Sequence, residues 1–136
     1  MGESPLIPTQ IAVSDPAEPP VLDSSMFQEL FETLAGDLDT VVSIYRTFFA
    51  TTLTLIDSLP DQNSAAQART LHTLKGSAAM LGAARLAQIA AGMQQVAANG
   101  GEPALDTRIA DLGSELDRVR SEALSHALSL GYRSEV

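Results

Sequence analysis

The chain has 136 residues, a formal net charge of -9 and no cysteine, and 45% of its residues are hydrophobic. This length suits one domain with a single core. The acidic balance argues against direct binding to nucleic acid or to an anionic membrane, because no basic patch would meet their phosphate groups. Disulfides, thiolate catalysis and Cys-based zinc sites are excluded as well.

The N-terminal segment is rich in proline. Residues 1–20 hold five of the seven prolines, mixed with Ser, Thr, Asp and Glu. This composition predicts a flexible linker or terminus over residues 1–20 and a folded domain over residues 21–136. The segment has no signal-peptide pattern, and no apolar run reaches the roughly 20 residues of a membrane span. We therefore expect a cytoplasmic domain.

The next segments have the apolar spacing of amphipathic helices. A short first helix is predicted from Asp23 or Ser24 to Gly36. A second helix follows and ends before Pro60, which cannot continue it. The inward residues expected from these two helices are Met26, Phe27, Leu30, Phe31, Leu34, Leu38, Val41, Val42, Tyr45, Phe48, Phe49, Leu55, Ile56 and Leu59.

Three further helices complete the pattern. The third ends at Gly82, where a left-handed residue suits a helix C-terminus. The fourth follows at once and ends at residues 99–101, and Pro103 lies in the first turn of the fifth. Their expected inward residues are Leu71, Leu74, Ala78, Leu81, Leu86, Ile89, Met93, Val96, Leu105, Ile109, Leu112, Leu116, Val119 and Ala123. We predict an all-α fold, an antiparallel four-helix bundle with an additional short N-terminal helix.

The third helix carries a histidine on a face that its apolar residues do not use. Helical spacing turns His72, Lys75, Gly76 and Ala79 away from the core, so we expect His72 to point at solvent. A glycine inside a helix costs about 1 kcal/mol relative to alanine, so Gly76 needs a reason. Its missing side chain leaves the imidazole accessible to a large partner.

Two neighbours of the histidine could contribute to a site. Lys75 is close enough to approach a negative group on the imidazole, an attraction of about 0.2–1 kcal/mol between exposed groups. Ser77 could bond back to a helix carbonyl, the role we favour, or face the same site. On spacing alone, a solvated face without any function explains the same residues at least as well.

The string "HTLKGSAAMLGAARL", which begins at His72, resembles the signature of histidine-containing phosphotransfer (HPt) domains. That family carries a His-x-x-Lys-Gly-Ser core and a Leu-Gly-Ala turn into the next helix. The resemblance extends over residues 21–130. It departs from the family at "GMQQ" in the fourth helix, where many relatives carry a glutamate, and most of all in the last helix.

The resemblance implies a function for the exposed face. His72 would accept a phosphoryl group from the phosphoaspartate of a receiver domain and pass it to another receiver in a two-component phosphorelay. Lys75 would assist electrostatically, Gly76 would give the receiver access, and Ser77 and Ala79 would lie at the docking surface. A neutral imidazole has a nucleophilic nitrogen near neutral pH, which suits this transfer.

The chain itself is expected to hold no cofactor and no metal, and the partner receiver would supply Mg²⁺. No Gly-rich phosphate loop is present, so we expect no autokinase activity. His126 lacks the Lys-Gly companions and is expected to sit partly exposed near a helix C-terminus, without a phosphoacceptor role.

Two other functions remain open at this point. The chain could be the phosphoacceptor domain of a chemotaxis-type histidine kinase, or a receiver-binding module without phosphotransfer. The Pro-rich segment suggests the HPt module of a hybrid sensor kinase, which would add the kinase domains of the same protein as partners and tether the module to the inner membrane. We expect the isolated domain to be a monomer.

Overall fold

The computed structural model describes residues 18–100 and 102–133, so most of the predicted linker over residues 1–20 lies outside the described residues. It contains five α-helices, which we number α1 (Ser24–Thr33), α2 (Leu38–Ser58), α3 (Ser64–Met80), α4 (Ala84–Ala98) and α5 (Glu102–Ser129). A 3₁₀ turn at Leu59–Asp61 joins α2 to α3, and none of the described residues forms a β-strand. The all-α prediction is confirmed.

Polar side chains fix where the first three helices begin. The Asp23 carboxylate caps α1 by accepting hydrogen bonds from the hydroxyl and the amide of Ser25, at 2.6 and 3.0 Å. These hydrogen bonds lower the pKa of Asp23, and the bond from the Ser25 hydroxyl has the largest effect. Asp37 caps α2 and Asn63 caps α3 through their side chains in the same way. Each cap satisfies amide groups that have no partner inside the helix.

Helices α2 to α5 surround one aliphatic core, with α3 packed along α4, α4 along α5, and α5 along α2. Most of the predicted inward residues are buried, and the others, except Met26, pack partly buried against them. Four polar residues are also buried, which hydrophobic spacing did not predict: Thr52, Gln67, Thr70 and Glu115. Three of them make side-chain hydrogen bonds. Gln67 and Thr70 donate to Leu59 and Gln62 in the segment between α2 and α3, and Glu115 accepts from Arg118 one turn along α5.

The end of α3 is held by contacts from α1 and α2. The Asp23 amide donates to the Gly82 carbonyl oxygen at 2.7 Å, and the Tyr45 hydroxyl donates to the Leu81 carbonyl oxygen at 2.9 Å. Gly82 has the predicted left-handed conformation, with φ of +80°, and an added Cβ would lie 2.9 Å from the Met26 Cβ. The turn between α3 and α4 is therefore fixed on both sides.

The segment around α1 is fixed to the rest of the bundle. The Phe27 ring packs edge-on against the ring of His126 near the end of α5, with centroids 5.0 Å apart. Ahead of α1, Arg85 donates its amide to the Pro20 carbonyl oxygen at 3.0 Å and its Nε to the Pro19 carbonyl oxygen at 3.1 Å. His126 is half-buried near the helix C-terminus, as predicted.

Candidate functional site

One side of helix α3 is buried in the core, and the opposite side is exposed to solvent. Its core residues Leu71, Leu74 and Ala78 have no exposed surface. On the other side, the exposed residues include His72, Gly76, Ala79 and Met80. His72, Gly76 and Met80 follow one another at four-residue spacing and therefore form one row along the helix. The structure brings together three of the residues singled out from the sequence, His72, Gly76 and Ala79.

The space at Gly76 is open. A Cβ added there meets no heavy atom of neighbouring elements within 4 Å, and the backbone is ordinary right-handed helix. Nothing in the fold therefore requires glycine at this position. Because glycine still destabilises a helix interior, the explanation for Gly76 has to lie outside the described chain.

The other two predicted residues lie at the edges of the exposed face. Lys75, one turn after His72, is half-exposed. Ser77 is half-buried on the side of α3 that faces α2, where it lines a shallow groove between the two helices. Helical spacing places Lys75 on the opposite edge of the face from Ser77. Lys75 thus lies close to His72, whereas Ser77 belongs to the wall of the groove.

The groove beside the histidine row is mainly apolar. Its lining residues are Ile44, Thr47, Phe48, Thr51, Thr52, Ser77, Met80 and Leu81. Met80 is 76% exposed, the largest value among the exposed large hydrophobic residues of the described chain. Met80 was not among the residues predicted for the site from the sequence, although its position one turn after Gly76 indicated the same row. An exposed methionine beside a groove is typical of an adaptable contact surface.

Acidic residues are absent from one stretch of the chain, the one that contains α3 and α4. All 17 acidic residues lie outside residues 62–101, the stretch that contains α3 and α4. This stretch carries three basic residues, Arg69, Lys75 and Arg85. The face around His72 is therefore free of carboxylates from its own two helices, in a protein that is strongly acidic elsewhere. A negatively charged group meets less repulsion here than at other parts of the surface.

Arg69 is a second cation beside the histidine that the sequence analysis missed. It is exposed and precedes His72 by three residues, as Lys75 follows it by three. The ion pairs seen among the described residues use Arg118 and Arg120 on α5, and neither Arg69 nor Lys75 takes part in one. The signal in the sequence was the absence of Asp and Glu around "ARTLHTLK".

One protein-family model covers most of the folded chain. The family model of the Hpt domain matches residues 25–122, which include α3, α4 and most of the other helices. The chain belongs to the Hpt domain family. No curated protein and no solved structure gives a significant match. Hpt domains are helical bundles with a histidine-phosphotransfer role in phosphorelays, and they interact with receiver domains.

None of the described helices of this Hpt domain is long and apolar enough to cross a membrane. The matched range ends within α5 and begins at the start of α1. The part of the chain with the exposed histidine row therefore lies near the middle of the family match. The general role of the family fits the accessible, carboxylate-free face of α3.

Proposed function

We propose that this Hpt domain accepts a phosphoryl group on His72 from the phosphoaspartate of one receiver domain and passes it to the aspartate of another. The observation that supports this most is the exposed imidazole of His72 on a helix that carries no carboxylate. Lys75 lies one turn away, and Gly76 leaves the approach to the ring open. We propose that His72 is the phosphoacceptor.

The transfer needs only bond exchange at phosphorus. The lone pair of one imidazole nitrogen forms the N–P bond while the O–P bond to the receiver aspartate breaks. The electron pair of the broken bond stays on the aspartate carboxylate. The second ring nitrogen of the phosphorylated imidazole keeps its proton or releases it to water. Because the same steps run in reverse, His72 can also donate the group to a second receiver.

Phosphoryl transfer depends mainly on positioning and on neutralising charge, so two proteins can divide the work. The receiver supplies the aspartyl phosphate and its Mg²⁺. This domain supplies the imidazole on a helix whose end is anchored by Asp23 and Tyr45. Lys75 offsets part of the phosphoryl charge. We propose no autokinase activity for the chain.

The docking surface that we propose consists of the exposed row on α3 and the groove beside it. Gly76 and Ala79 give a receiver close access, and Met80 with the groove offers apolar contacts that Ser77 borders. A relay intermediate has to release each partner after transfer, so we expect a small, transient interface.

Transfer of label from phosphorylated receivers tests the proposal. The full chain and the His72→Gln variant are incubated with several phosphorylated receivers and Mg²⁺. The proposal predicts acid-labile, base-stable label on the wild type alone, with equal helicity of both proteins by circular dichroism. The His126→Gln variant is the control and should accept label like the wild type.

Other outcomes would support the alternatives. Stable binding to receivers without any label would indicate an interaction module. Label that comes only from an added ATP-binding kinase domain, and from no receiver, would indicate the phosphoacceptor domain of a chemotaxis-type kinase. Label on the His72→Gln variant would refute the assignment of the phosphoacceptor.

A further inference from the structure

Arg69 lies exposed on α3, three residues before His72, and no role has been assigned to it so far. We propose that Arg69 is a phosphate-binding residue of the His72 site, with its guanidinium on the side of the imidazole opposite Lys75. The proposal deepens the proposed function and rests on it. It adds a second cation to a site in which the sequence alone indicated one.

Helix geometry places both cations within reach of His72. Residues three positions apart on a helix have Cβ atoms about 5–6 Å from each other, so Arg69 and Lys75 flank His72 by one turn on either side. Side chains on a helix lean toward its N-terminus. The imidazole therefore leans toward the turn that carries Arg69, and the ammonium of Lys75 leans back toward His72. Arg69 itself leans away from His72, and its long side chain has to turn back along the helix to meet a group on the ring. A phosphoryl group on the ring would lie between the two cations.

Arg69 has no anionic partner within the described chain. It is exposed, and within the described residues its backbone carbonyl oxygen accepts a hydrogen bond from Thr73 Oγ1 at 3.2 Å. By contrast, Arg118 pairs with Glu115 at 2.8 Å and Arg120 pairs with Asp117 at 3.3 Å. The guanidinium of Arg69 is therefore available to an external anion.

The sequence around Arg69 contains no acidic residue that could pair with its guanidinium. All 17 acidic residues lie outside residues 62–101, so neither α3 nor α4 offers Arg69 a carboxylate. A nearby Asp or Glu would pair with the guanidinium and would also repel a phosphoryl group on the imidazole. Arg69 and Lys75 are therefore both unpaired beside His72, and two unpaired cations favour the binding of an anion next to the imidazole.

The chemistry of the two cations is complementary. A guanidinium donates two parallel N–H bonds to two oxygens of one phosphoryl group, whereas an ammonium acts as a compact point charge. With Lys75 on one side and Arg69 on the other, the charge on the three phosphoryl oxygens would be offset from two directions. Arg69 would then stabilise the group in the transfer step and on His72 afterwards.

The test uses a donor that needs no receiver. The full chain, labelled with ¹⁵N, is phosphorylated with phosphoramidate, and the Nε–Hε signals of its arginines are recorded before and after. We expect the Arg69 signal to shift and its exchange with water to slow on phosphorylation. The signal of Arg108, an exposed arginine on α5, should stay in place. An unchanged Arg69 signal while His72 is phosphorylated would overturn the proposal.

Kinetic variants separate charge from structure. We expect Arg69→Ala to slow phosphorylation by phosphoramidate about three- to fivefold, the size of an exposed charge contact. Arg69→Lys should recover part of the rate, and the matched control Arg108→Ala should behave like the wild type. Equal rates for Arg69→Ala and the wild type would also overturn the proposal.

The outcomes distinguish this inference from the function on which it rests. If Arg69→Ala slows transfer only from receivers and the Arg69 signal does not respond to phosphoramidate, Arg69 is a docking contact and the present proposal is wrong. If the wild type takes no phosphoryl group on His72 from any donor, both proposals are wrong. If His72 is phosphorylated but neither the Arg69 signal nor the rate of Arg69→Ala changes, the proposed function is supported and the role of Arg69 is wrong.

Discussion

Substitutions at Gly76 are expected to raise the stability of this domain and to lower its rate of phosphotransfer. Replacing it with alanine should stabilise the protein, because the added Cβ meets no neighbouring element within 4 Å and the backbone is already helical. The expected gain is about 1 kcal/mol, the difference between glycine and alanine in a helix interior. For a domain of this size this corresponds to a rise in Tm of about 3–6 °C.

The same position should respond in the opposite way in phosphotransfer. Gly76→Gln keeps most of the gain in helix stability, since glutamine is also a good helix former. Its long side chain, one turn from His72, should hinder the approach of a receiver. We expect the rate of transfer from a phosphorylated receiver to fall by about tenfold or more, because small displacements of reacting groups have large effects on rate.

Gly113 is the matched control, since it lies inside α5 and an added Cβ there also meets nothing within 4 Å. Urea unfolding and thermal unfolding of Gly76→Ala and Gly113→Ala should show similar stabilisation. Gly113→Gln should transfer at the wild-type rate. Our reasoning would be refuted if Gly76→Ala destabilised the protein, or if Gly76→Gln transferred phosphoryl groups as fast as the wild type.

Three further predictions concern the site and its support. Lys75→Ala should slow transfer by no more than about fivefold, since an exposed charge contributes about 0.2–1 kcal/mol, and single-turnover label transfer measures this. Burial, with a smaller contribution from Asp23, raises the pKa of Tyr45 to about 12. Because a tyrosine in the unfolded chain ionises at about pH 10, stability should fall between pH 10 and pH 12, and urea unfolding of Tyr45→Phe should lack this component. Gly82→Ala should lower stability by at least about 1–2 kcal/mol, because it strains a left-handed residue and crowds Met26, and an unchanged urea midpoint would contradict this.

The helices and their inward faces could be predicted from the sequence because apolar spacing and local signals agree. Asp23 at the start of α1 and Gly82 at the end of α3 act through their own backbone neighbourhood, which a sequence shows directly. The same spacing placed His72 and Gly76 on the outside of α3. Both kinds of inference depend only on residues within about one turn of each other.

The features that were missed depend on contacts between distant segments. Gln67 is buried because its Nε2 donates to the Leu59 carbonyl oxygen across the turn before α3, at 2.9 Å. The contact of the Asp23 amide with Gly82 joins residues far apart in sequence. Periodicity along one helix contains no information about such partners.

The functional face was predicted in part for a related reason. His72 and Lys75 were found through their spacing, whereas Arg69 was overlooked because its importance comes from what the neighbouring sequence lacks. Met80 was overlooked because an apolar residue next to Leu81 was not separated from the core residues. Its exposed position follows from the four-residue spacing that places it in one row with His72 and Gly76.

The central claim is that His72 carries a phosphoryl group between two receivers, and a complete relay in vitro tests it most directly. A first receiver is labelled and freed of donor, and the domain and an unlabelled second receiver are then added with Mg²⁺. The account predicts that label appears on the domain and afterwards on the second receiver, and that the His72→Gln variant passes none. Label that reaches the second receiver equally fast with the His72→Gln variant would contradict it.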